Sequence, residues 1–286
     1  MKPAPFAYRR AETVEEALQH LKEHGEEARL LAGGQSLVPL LNFRLARPAC
    51  LVDLNPVTSL SYIQRNGGPR IGAMTRLRAL EDDPQTKDLS LLPDALPLIG
   101  HPAIRNRGTV GGSLCHADPS AELPVVAVAL EATLHAEGPG GKRAISADEF
   151  FVDYFETALG PGEVLTEFSL PAPLAGWGWA FLEMSRRYGD FAVVCVAAGI
   201  AIDEEGKCAD ARLVVGGVGP APLRLQEGEE ALRGKPPDPN RLREAARIAA
   251  STVRPASDVH ASSGFRKHLS GVLTERALRA ARQRAQ

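Results

Sequence analysis

The N-terminal part of the chain shows a change of hydrophobic period that is typical of a small α/β unit. Thr13 opens a capping-box sequence, after which apolar residues recur at helical spacing. The short, mostly apolar segments at residues 28–32 and 50–54 indicate strands. Between them, Ser36 is the expected cap of a helix over residues 37–45. This order of elements predicts a small unit with parallel strands.

The middle of the chain alternates short strand-like and helical patterns. Residues 60–65 and 70–74 flank the turn residues 66–69, Asn-Gly-Gly-Pro, and so predict a β-hairpin. Thr75 follows as the expected cap of a helix over residues 76–82. The other elements expected here are helical turns over residues 89–99, a buried helix over 123–130, a strand over 132–136 and an edge strand over 163–171.

A Pro- and Gly-containing segment, residues 171–178, has the composition of a linker. Three apolar runs beyond it predict antiparallel strands over residues 180–186, 193–202 and 211–218. Helical patterns follow over residues 225–232, over 240–253 and from 264 to the end. We therefore expect an α+β chain of three units, which are residues 1–55 and 56–173, both α/β, and residues 174–286, with a three-stranded antiparallel sheet and helices.

Composition narrows the function. The chain has 286 residues, 44% of them hydrophobic, and a formal net charge of −2. That charge disfavours a dedicated nucleic-acid binder. No apolar run is long enough to span a membrane. The N-terminus lacks a charged-then-apolar signal pattern, so a cytoplasmic location is the expectation.

The cysteines do not have the spacing of a metal or iron–sulfur site. They stand at Cys50, Cys115, Cys195 and Cys208. No two are separated by only two to four residues, so no metal ligand set is predicted. Cys115 and His116 are adjacent, which allows a Cys/His catalytic interpretation. Adjacent residues of an extended loop point apart, however, and this disfavours it.

Two short segments each combine a Gly-Gly pair with a hydroxyl residue. The first is residues 32–36, Ala-Gly-Gly-Gln-Ser, and the second is residues 109–113, Thr-Val-Gly-Gly-Ser. Glycine lets a backbone approach an anion and offer it N–H groups. Neither segment matches the dinucleotide-binding Gly-x-Gly-x-x-Gly or the phosphate-binding P-loop. One such pair alone is as compatible with an ordinary turn, whereas two predict loops that grip one diphosphate-bearing cofactor between them.

Together the two segments resemble the flavin-binding signatures of the FAD subunit of molybdenum hydroxylases, the family of xanthine dehydrogenase and of the aerobic carbon monoxide dehydrogenase medium subunit. The resemblance continues through residues 117–122, Ala-Asp-Pro-Ser-Ala-Glu. It also includes residues 185–192, Ser-Arg-Arg-Tyr-Gly-Asp-Phe-Ala, and residues 212–218, Arg-Leu-Val-Val-Gly-Gly-Val. It covers nearly the whole chain.

This resemblance implies an FAD-binding fold of the vanillyl-alcohol-oxidase type and FAD as the cofactor. It places the diphosphate at the two glycine segments, Glu122 facing the cofactor, Leu165 at the adenine end, and Tyr188 and Asp190 near the isoalloxazine. The implied cofactor-binding residues are Ala32, Gly33, Gly34, Gln35, Ser36, Leu37, Thr109, Val110, Gly111, Gly112, Ser113, Glu122, Leu165, Tyr188 and Asp190. Gln35 replaces a His or Asn of some relatives, Glu122 an Asp, and Leu182 or Glu183 a Lys.

The resemblance implies partner chains as well. A large subunit would carry the molybdopterin centre, a small subunit would carry [2Fe–2S] clusters, and the flavin would pass electrons to NAD, a quinone or dioxygen. No catalytic or metal-binding residue is expected in this chain, because flavin chemistry belongs to the cofactor. Two alternatives stay open: a self-contained FAD-dependent oxidase or reductase with His116 as its acid/base residue, and a scaffold without cofactor.

Several single residues allow two interpretations each. Asp53 can bind a ribose or cap a turn, and the absence of the dinucleotide fingerprint favours the turn. Arg105 and Arg107 can assist the diphosphate or be solvated. Trp177 and Trp179 are expected to anchor domain packing. The basic residues after Phe265 form either a solvated helix face or a docking surface for another subunit.

Overall fold

The computed structural model describes residues 2–65, 67–172 and 176–285. Residue 66 of the predicted hairpin turn and residues 173–175 of the predicted linker lie outside the described residues. Strands and helices alternate along the chain and form three larger sheets and a two-stranded ribbon. Each sheet is built from one contiguous part of the chain, so each packs its own helices.

The first sheet is parallel, as predicted, with the strand order β1-β3-β2. Its elements are β1 Ala7–Arg10, α1 Val14–His24, β2 Ala28–Leu31, α2 Leu37–Asn42 and β3 Cys50–Asp53. Thr13 caps α1, where its side chain accepts a hydrogen bond from the backbone N–H of Glu16. Ser36 makes no side-chain cap on α2, and that helix ends three residues earlier than expected, at Asn42. Both expectations were therefore wrong.

The second sheet has five strands in the order β4-β5-β10-β6-β7. Its strands and helices are β4 Ile63–Gln64, β5 Arg70–Gly72, α3 Leu77–Asp82, α4 Leu92–Ala95, α5 Pro102–Arg105, α6 Val110–His116, α7 Glu122–Ala129, β6 Thr133–Gly138, β7 Gly141–Ser146, α8 Ala147–Phe150, β8 Phe151–Asp153, β9 Glu156–Thr157 and β10 Val164–Ser169. Strands β8 and β9 form the separate ribbon.

Two expectations for this sheet were wrong. The last strand, β10, is central rather than at an edge, because it pairs with both β5 and β6. The alternation of apolar and polar residues in β10 depends on how the two faces of the sheet are covered. It does not depend on how many strands pair with β10. Thr75 does not cap a helix either: its hydroxyl donates to the carbonyl of Tyr62 and accepts from that residue's N–H.

The third sheet is antiparallel, with the order β11-β12-β13-β14. Its elements are β11 Trp177–Ser185, β12 Ala192–Ile202, β13 Cys208–Gly216, β14 Leu223–Arg224, α9 Gln226–Glu230, α10 Pro239–Thr252 and α11 Ser263–Arg284. The three long strands agree with the prediction, and β14 adds a fourth of two residues. Helix α11 packs on β11 and β12, and α10 packs on α11. On the other face α7 contacts β12 and β13, so this sheet is covered on both sides.

The apolar core that links the second and third sheets is continuous. Leu123 and Val126 of α7 share one buried cluster with Phe181 of β11, Cys195 of β12 and Val214 of β13. Helix α7 is buried along its whole length, which explains the absence of a polar face in its sequence. Burial at this junction fixes the third sheet against the second, and it also places the first turn of α7 at the same junction.

Candidate functional site

The two Gly-Gly segments lie side by side. A Cβ added to Gly112 would stand 3.4 Å from the Cβ of Ala32. A Cβ added to Gly33 would stand 2.4 Å from the carbonyl oxygen of Arg107 and 2.7 Å from the Cα of Gly108. Contacts this short exclude any side chain at residue 33. The sequence prediction that the two segments approach one another is therefore correct, and glycine is what allows it.

The first segment offers hydrogen-bond donors. Gly34 has φ of +73°, which turns the chain out of β2. Within the described part of the chain, the backbone N–H groups of residues 33–37 donate to no protein acceptor, and the Ser36 hydroxyl makes no hydrogen bond. The side chain of Gln35 donates to the carbonyl of Gly33 at 3.0 Å and steadies the turn. This group of free donors is suited to an anion such as a diphosphate.

The second segment differs from its prediction as an open loop, because residues 110–116 form the helix α6. Thr109 caps this helix and accepts from Gly112 N at 3.0 Å. Val110 N donates to Thr75 O, Gly111 N to Ala73 O and Ser113 N to Thr109 O. The expected free N–H groups are therefore already bonded, and hydroxyl groups remain as the donors of this segment. A Cβ on Gly111 would lie 2.6 Å from Ala73 Cβ, so this glycine serves close packing.

Asn55 and Arg76 connect the two segments, and sequence reasoning missed both. Asn55 Nδ2 donates to Ala32 O at 2.9 Å. Arg76 donates to Asn55 Oδ1 at 2.6 Å and to Arg107 O at 2.5 Å. Burial, and then the nearby positive charge of Arg107, lower the pKa of Arg76. An arginine remains charged regardless, so the segments meet in a positive field that fits a polyanion. Nothing in the local sequence marks either residue.

Glu122 and Leu165 are buried. Glu122 begins α7 and is 3% exposed. Burial, with a smaller contribution from the charge of Glu183, raises the pKa of Glu122 to about 8. Leu165 lies in β10 within the core cluster that also contains Val110 and Leu114 of α6. Leu165 is thus part of the core on which α6 packs.

Tyr188 and Asp190 lie in an exposed turn after β11. The Tyr188 hydroxyl donates to Pro97 O at 2.9 Å, and its ring centroid is 6.4 Å from that of His101. The backbone N–H of Asp190 donates to Arg187 O. In the described residues, neither side chain hydrogen-bonds to the glycine segments. The turn is thereby fastened to the segment that precedes α5.

Arg105 does not face an anion. Its guanidinium is buried, pairs with both carboxylate oxygens of Glu81 at 2.8 and 3.1 Å, and donates to the carbonyls of Pro97, Ile99 and Gly100. The suggestion that it assists the diphosphate was wrong, since every contact holds the segment before α5. Arg107 is exposed.

Cys115 and His116 do not form a nucleophile and base. Burial raises the pKa of the Cys115 thiol to about 12. Burial also lowers the pKa of His116, whose ring lies 5.2 Å from that of Phe155. An unactivated thiol is a poor nucleophile. Asp53 has the turn role favoured from the sequence, because its carboxylate accepts from Asn55 N and from the hydroxyl of Tyr8.

A cleft of about 620 Å³ lies elsewhere, between the start of α1 and the second sheet. Its charged groups satisfy one another. Glu167 is bound by the Nε of Arg70 at 2.9 Å and by the hydroxyl of Tyr62 at 2.6 Å, with His135 at 3.4 Å. Neither glycine segment lines this cleft. The arrangement is an ion-pair network within residues 56–173, on one wall of the cleft.

Two properties of the described residues complete the picture. No group of three or more His, Cys, Asp and Glu side chains among them is placed to hold a metal ion. None of the helices in residues 2–65, 67–172 and 176–285 combines the length and the apolar character needed to cross a membrane.

Comparison with known proteins was made for the sequence and for the structure. Residues 4–173 match the family model "FAD binding domain in molybdopterin dehydrogenase", and residues 179–281 match "CO dehydrogenase flavoprotein C-terminal domain". The 6-hydroxypseudooxynicotine dehydrogenase complex subunit alpha of Paenarthrobacter nicotinovorans is 42% identical over 100% of this chain and 97% of its own length. The carbon monoxide dehydrogenase medium chain of Hydrogenophaga pseudoflava is 36% identical over 98% of each chain.

Solved structures agree along the whole chain. A chain of carbon monoxide dehydrogenase from Hydrogenophaga pseudoflava superposes with a TM-score of 0.95 at 36% identity, covering 99% of both chains. A chain of quinoline 2-oxidoreductase from Pseudomonas putida 86 gives a TM-score of 0.94 at 39% identity, covering 100% of this chain and 99% of that one.

Proposed function

This chain belongs to the family of FAD-binding subunits of molybdenum hydroxylases, which are oxidoreductases, and from that premise we propose that it transfers electrons within a multi-subunit enzyme. In this proposal FAD receives electrons from the [2Fe–2S] clusters of a small partner subunit. A large partner subunit oxidises the substrate at a molybdopterin centre. The final acceptor is NAD, a quinone or dioxygen.

The observation that carries the proposal is the contact between the two glycine segments. The first segment leaves the N–H groups of residues 33–37 free within the described part of the chain, and Arg76 adds positive charge beside them. An FAD diphosphate carries about two negative charges and needs such donors. The hydroxyls of Ser36, Thr109 and Ser113 supply donors that need no lysine.

The proposed cofactor site has the same members as the sequence predicted. They are residues 32–37 and 109–113 for the diphosphate, Glu122 facing the cofactor, Leu165 at the adenine end, and Tyr188 and Asp190 near the isoalloxazine. Asn55 and Arg76 are added as residues that hold the segments together. FAD supplies the reversible storage of two electrons, and the protein orients it and sets its electrostatic surroundings.

The partners are inferred from the relatives. Two of them carry "medium chain" or "complex subunit alpha" in their names, which describe parts of larger enzymes. Both match this chain over nearly their full length, so this chain corresponds to one subunit and not to a whole enzyme. The three-unit organisation, residues 1–55, 56–173 and 174–286, is likewise proposed. Each of the three larger sheets falls within one of these ranges.

The test compares the isolated chain with the chain co-purified with its endogenous partners. We expect the isolated chain to bind one FAD, seen in its visible spectrum, and to show no reduction of that flavin by small-molecule substrates. The co-purified complex should contain molybdenum and iron, and its flavin should bleach when the substrate of the large subunit is added. Flavin bleaching by a substrate in the isolated chain would support the self-contained oxidase instead. An isolated chain that binds no FAD would overturn both.

A further inference from the structure

Two carboxyl groups, that of the buried Glu122 and that of the half-buried Glu183, lie at the junction between α7 and the third sheet. Glu183 of β11 lies opposite Cys195 of β12, and Cys195 lies opposite Gly216 of β13. Directly opposed residues of antiparallel strands share one face of the sheet. This face packs on α7, because a Cβ on Gly216 would stand 2.6 Å from Val125 Cγ2. Glu183 therefore lies on the face of the third sheet that packs on α7, the helix that begins at Glu122.

The thiol between them indicates the same grouping. Cys195 is fully buried. Burial first, and then the charges of Glu122 and Glu183, raise the pKa of Cys195 well above its ordinary value. The charges of both carboxyls therefore act on the Cys195 thiol, although the two glutamates come from different units of the chain.

Neither carboxyl has a cationic partner among the described residues. The carboxylate of Glu122 hydrogen-bonds to no other residue there, and only its own backbone N–H favours its charged form. Glu183 Oε2 is buried and accepts no hydrogen bond. An ionised carboxylate in such a place is costly, and the group holds its proton instead.

The charged groups nearby do not offset the free-energy cost of ionising Glu122 or Glu183. Asp118, in the turn before α7, adds further negative charge, and burial lowers the pKa of His116 at the end of α6. Of the other elements that pack against α7, helix α8 adds the acidic side chains of Asp148 and Glu149. The remaining charged groups are engaged in ion pairs of their own, which are Asp94 with Arg284, Asp210 with Arg233, Arg212 with Glu131, and Arg224 with Glu229.

The two carboxyls titrate as a pair near neutral pH. Burial raises the pKa of Glu183 to about 7. Burial and then the charge of Glu183 raise the pKa of Glu122 to about 8. The charge of an ionised Glu183 makes Glu122 keep its proton, so the pair releases its two protons one after the other.

Helix α6 connects this pair to the glycine segments. It begins after Thr109 and spans seven residues, about 10 Å, and the turn that follows it leads directly to Glu122. The inference rests on the proposed function, since it requires FAD at the glycine segments. The ring system of FAD is separated from its diphosphate by a ribityl chain, and Glu122 is the residue at this junction that is proposed to face the cofactor.

We propose that Glu122 and Glu183 together hold one proton beside the cofactor and take up a second proton from solvent when the cofactor is reduced. Two electrons from the iron–sulfur partner bring negative charge next to the pair. This charge favours protonation of the ionised carboxylate, which binds a proton at one of its oxygens. In total, two electrons and one proton reach the cofactor, and one proton reaches the pair. Oxidation by the acceptor returns that proton to solvent.

The experiment is a potentiometric titration of the FAD-loaded chain, followed by its visible spectrum between pH 5.5 and 9.5. Each proton bound with two electrons changes the midpoint potential by about 30 mV per pH unit. Above pH 7 the midpoint potential of the wild type should fall more steeply with pH than that of the double variant Glu122→Gln/Glu183→Gln. The difference between the two slopes should be that of one proton, about 30 mV per pH unit. Glu183→Gln alone should move the change of slope to lower pH, and Glu183→Asp should restore it. Glu204→Gln, in an exposed turn, is the matched control with the wild-type slope.

The outcomes separate this inference from the proposed function. A wild-type chain that binds FAD but shows the same slope as the double variant would overturn the proton-sharing pair alone. A wild-type chain that binds no FAD would overturn the proposed function as well. If the Gln variants lose FAD, the wild-type chain decides by itself: a slope of about 30 mV per pH unit throughout pH 7–9 leaves no second proton to assign.

Discussion

Gly112 in the first turn of α6 touches Ala32 after β2, with only 3.4 Å between the Cβ of Ala32 and the position a Gly112 Cβ would occupy. The neighbouring Gly33 lies directly on the backbone of Arg107 and Gly108. The two segments come from different sheets, so this contact closes the first unit on the second. Side chains here would separate the units at the place where the cofactor is proposed to bind.

Replacement of Gly33 by Ala should therefore weaken FAD binding strongly. The added Cβ would stand 2.4 Å from Arg107 O, and backbone cannot yield as a side-chain end can. We expect a destabilisation of about 1–3 kcal/mol from overpacking and a loss of FAD affinity of more than about ten-fold, or 1.4 kcal/mol. Isothermal titration and urea unfolding measure the two effects. Gly140→Ala is the control, since a Cβ there meets no atom within 4 Å.

The hydroxyls of Ser36 and Ser113 should matter for FAD and not for the fold. Neither makes a hydrogen bond within the described residues, so Ser36→Ala and Ser113→Ala leave no internal partner unsatisfied. Stability should change by less than about 0.5 kcal/mol. A hydrogen bond to a charged group contributes about 1.5–3 kcal/mol, so FAD should bind roughly ten-fold more weakly. Ser61→Ala, on the surface, should change neither quantity. Unaltered affinity in both variants would remove these hydroxyls from the site.

Replacement of Arg105 should lower the stability of the protein, whereas replacement of Arg107 should weaken FAD binding. Arg105→Met leaves the buried carboxylate of Glu81 and three carbonyls without their donor, so stability should fall by about 3–5 kcal/mol, with FAD affinity of the folded protein nearly unchanged. Arg107→Met, at an exposed residue, should leave stability intact and weaken FAD binding most at low salt, where charge attraction is least screened. Thermal unfolding and FAD titrations at two ionic strengths would distinguish them. Equal losses of affinity would contradict the structural role of Arg105.

Glu122 should make stability depend on pH. Its pKa is about 8 in the folded protein against an ordinary value of 4.5, so the folded state holds this proton after the unfolded chain has lost it. The sign follows: stability from this group is highest below pH 4.5, falls as pH rises to about 8, and is constant above that. The difference is at most roughly 5 kcal/mol at about 1.4 kcal/mol per pKa unit.

The measurement is the urea unfolding free energy of FAD-free protein at pH 5.5 and pH 8. Glu122→Gln should flatten the decrease between these values and make the protein more stable than wild type at pH 8. Glu204→Gln should retain the wild-type decrease. Identical pH dependence in wild type and Glu122→Gln would show that Glu122 is not buried as an acid.

Local signals in the sequence were sufficient for much of the fold. The cap at Thr13, the parallel order of the first strands and the three long strands of the third sheet were correct, because each depends on residues close together in the chain. Errors occurred where a distant partner decides. Thr75 has a cap-forming side chain, but the backbone of Tyr62 binds it. The central place of β10 depends on β5 and β6, which its own pattern does not specify.

The candidate site divides in the same way. The glycine segments could be found because glycine and hydroxyl residues are themselves the signal. Asn55 and Arg76 could not be found, since an Asn after a strand and an Arg before a helix are common, and their bonds to Ala32 and Arg107 exist only after the units pack.

The sequence by itself determined two things: the family, through motifs whose spacing is covalent, and the FAD cofactor that the family implies. The tertiary structure decided which donors are free. It folded residues 110–116 into a helix whose first N–H groups are bonded to Thr75, Ala73 and Thr109, and it left those of residues 33–37 open within the described chain. It also buried Glu122 without a cationic partner among the described residues. Burial and proximity between distant residues set both results, and neither is encoded at any one position.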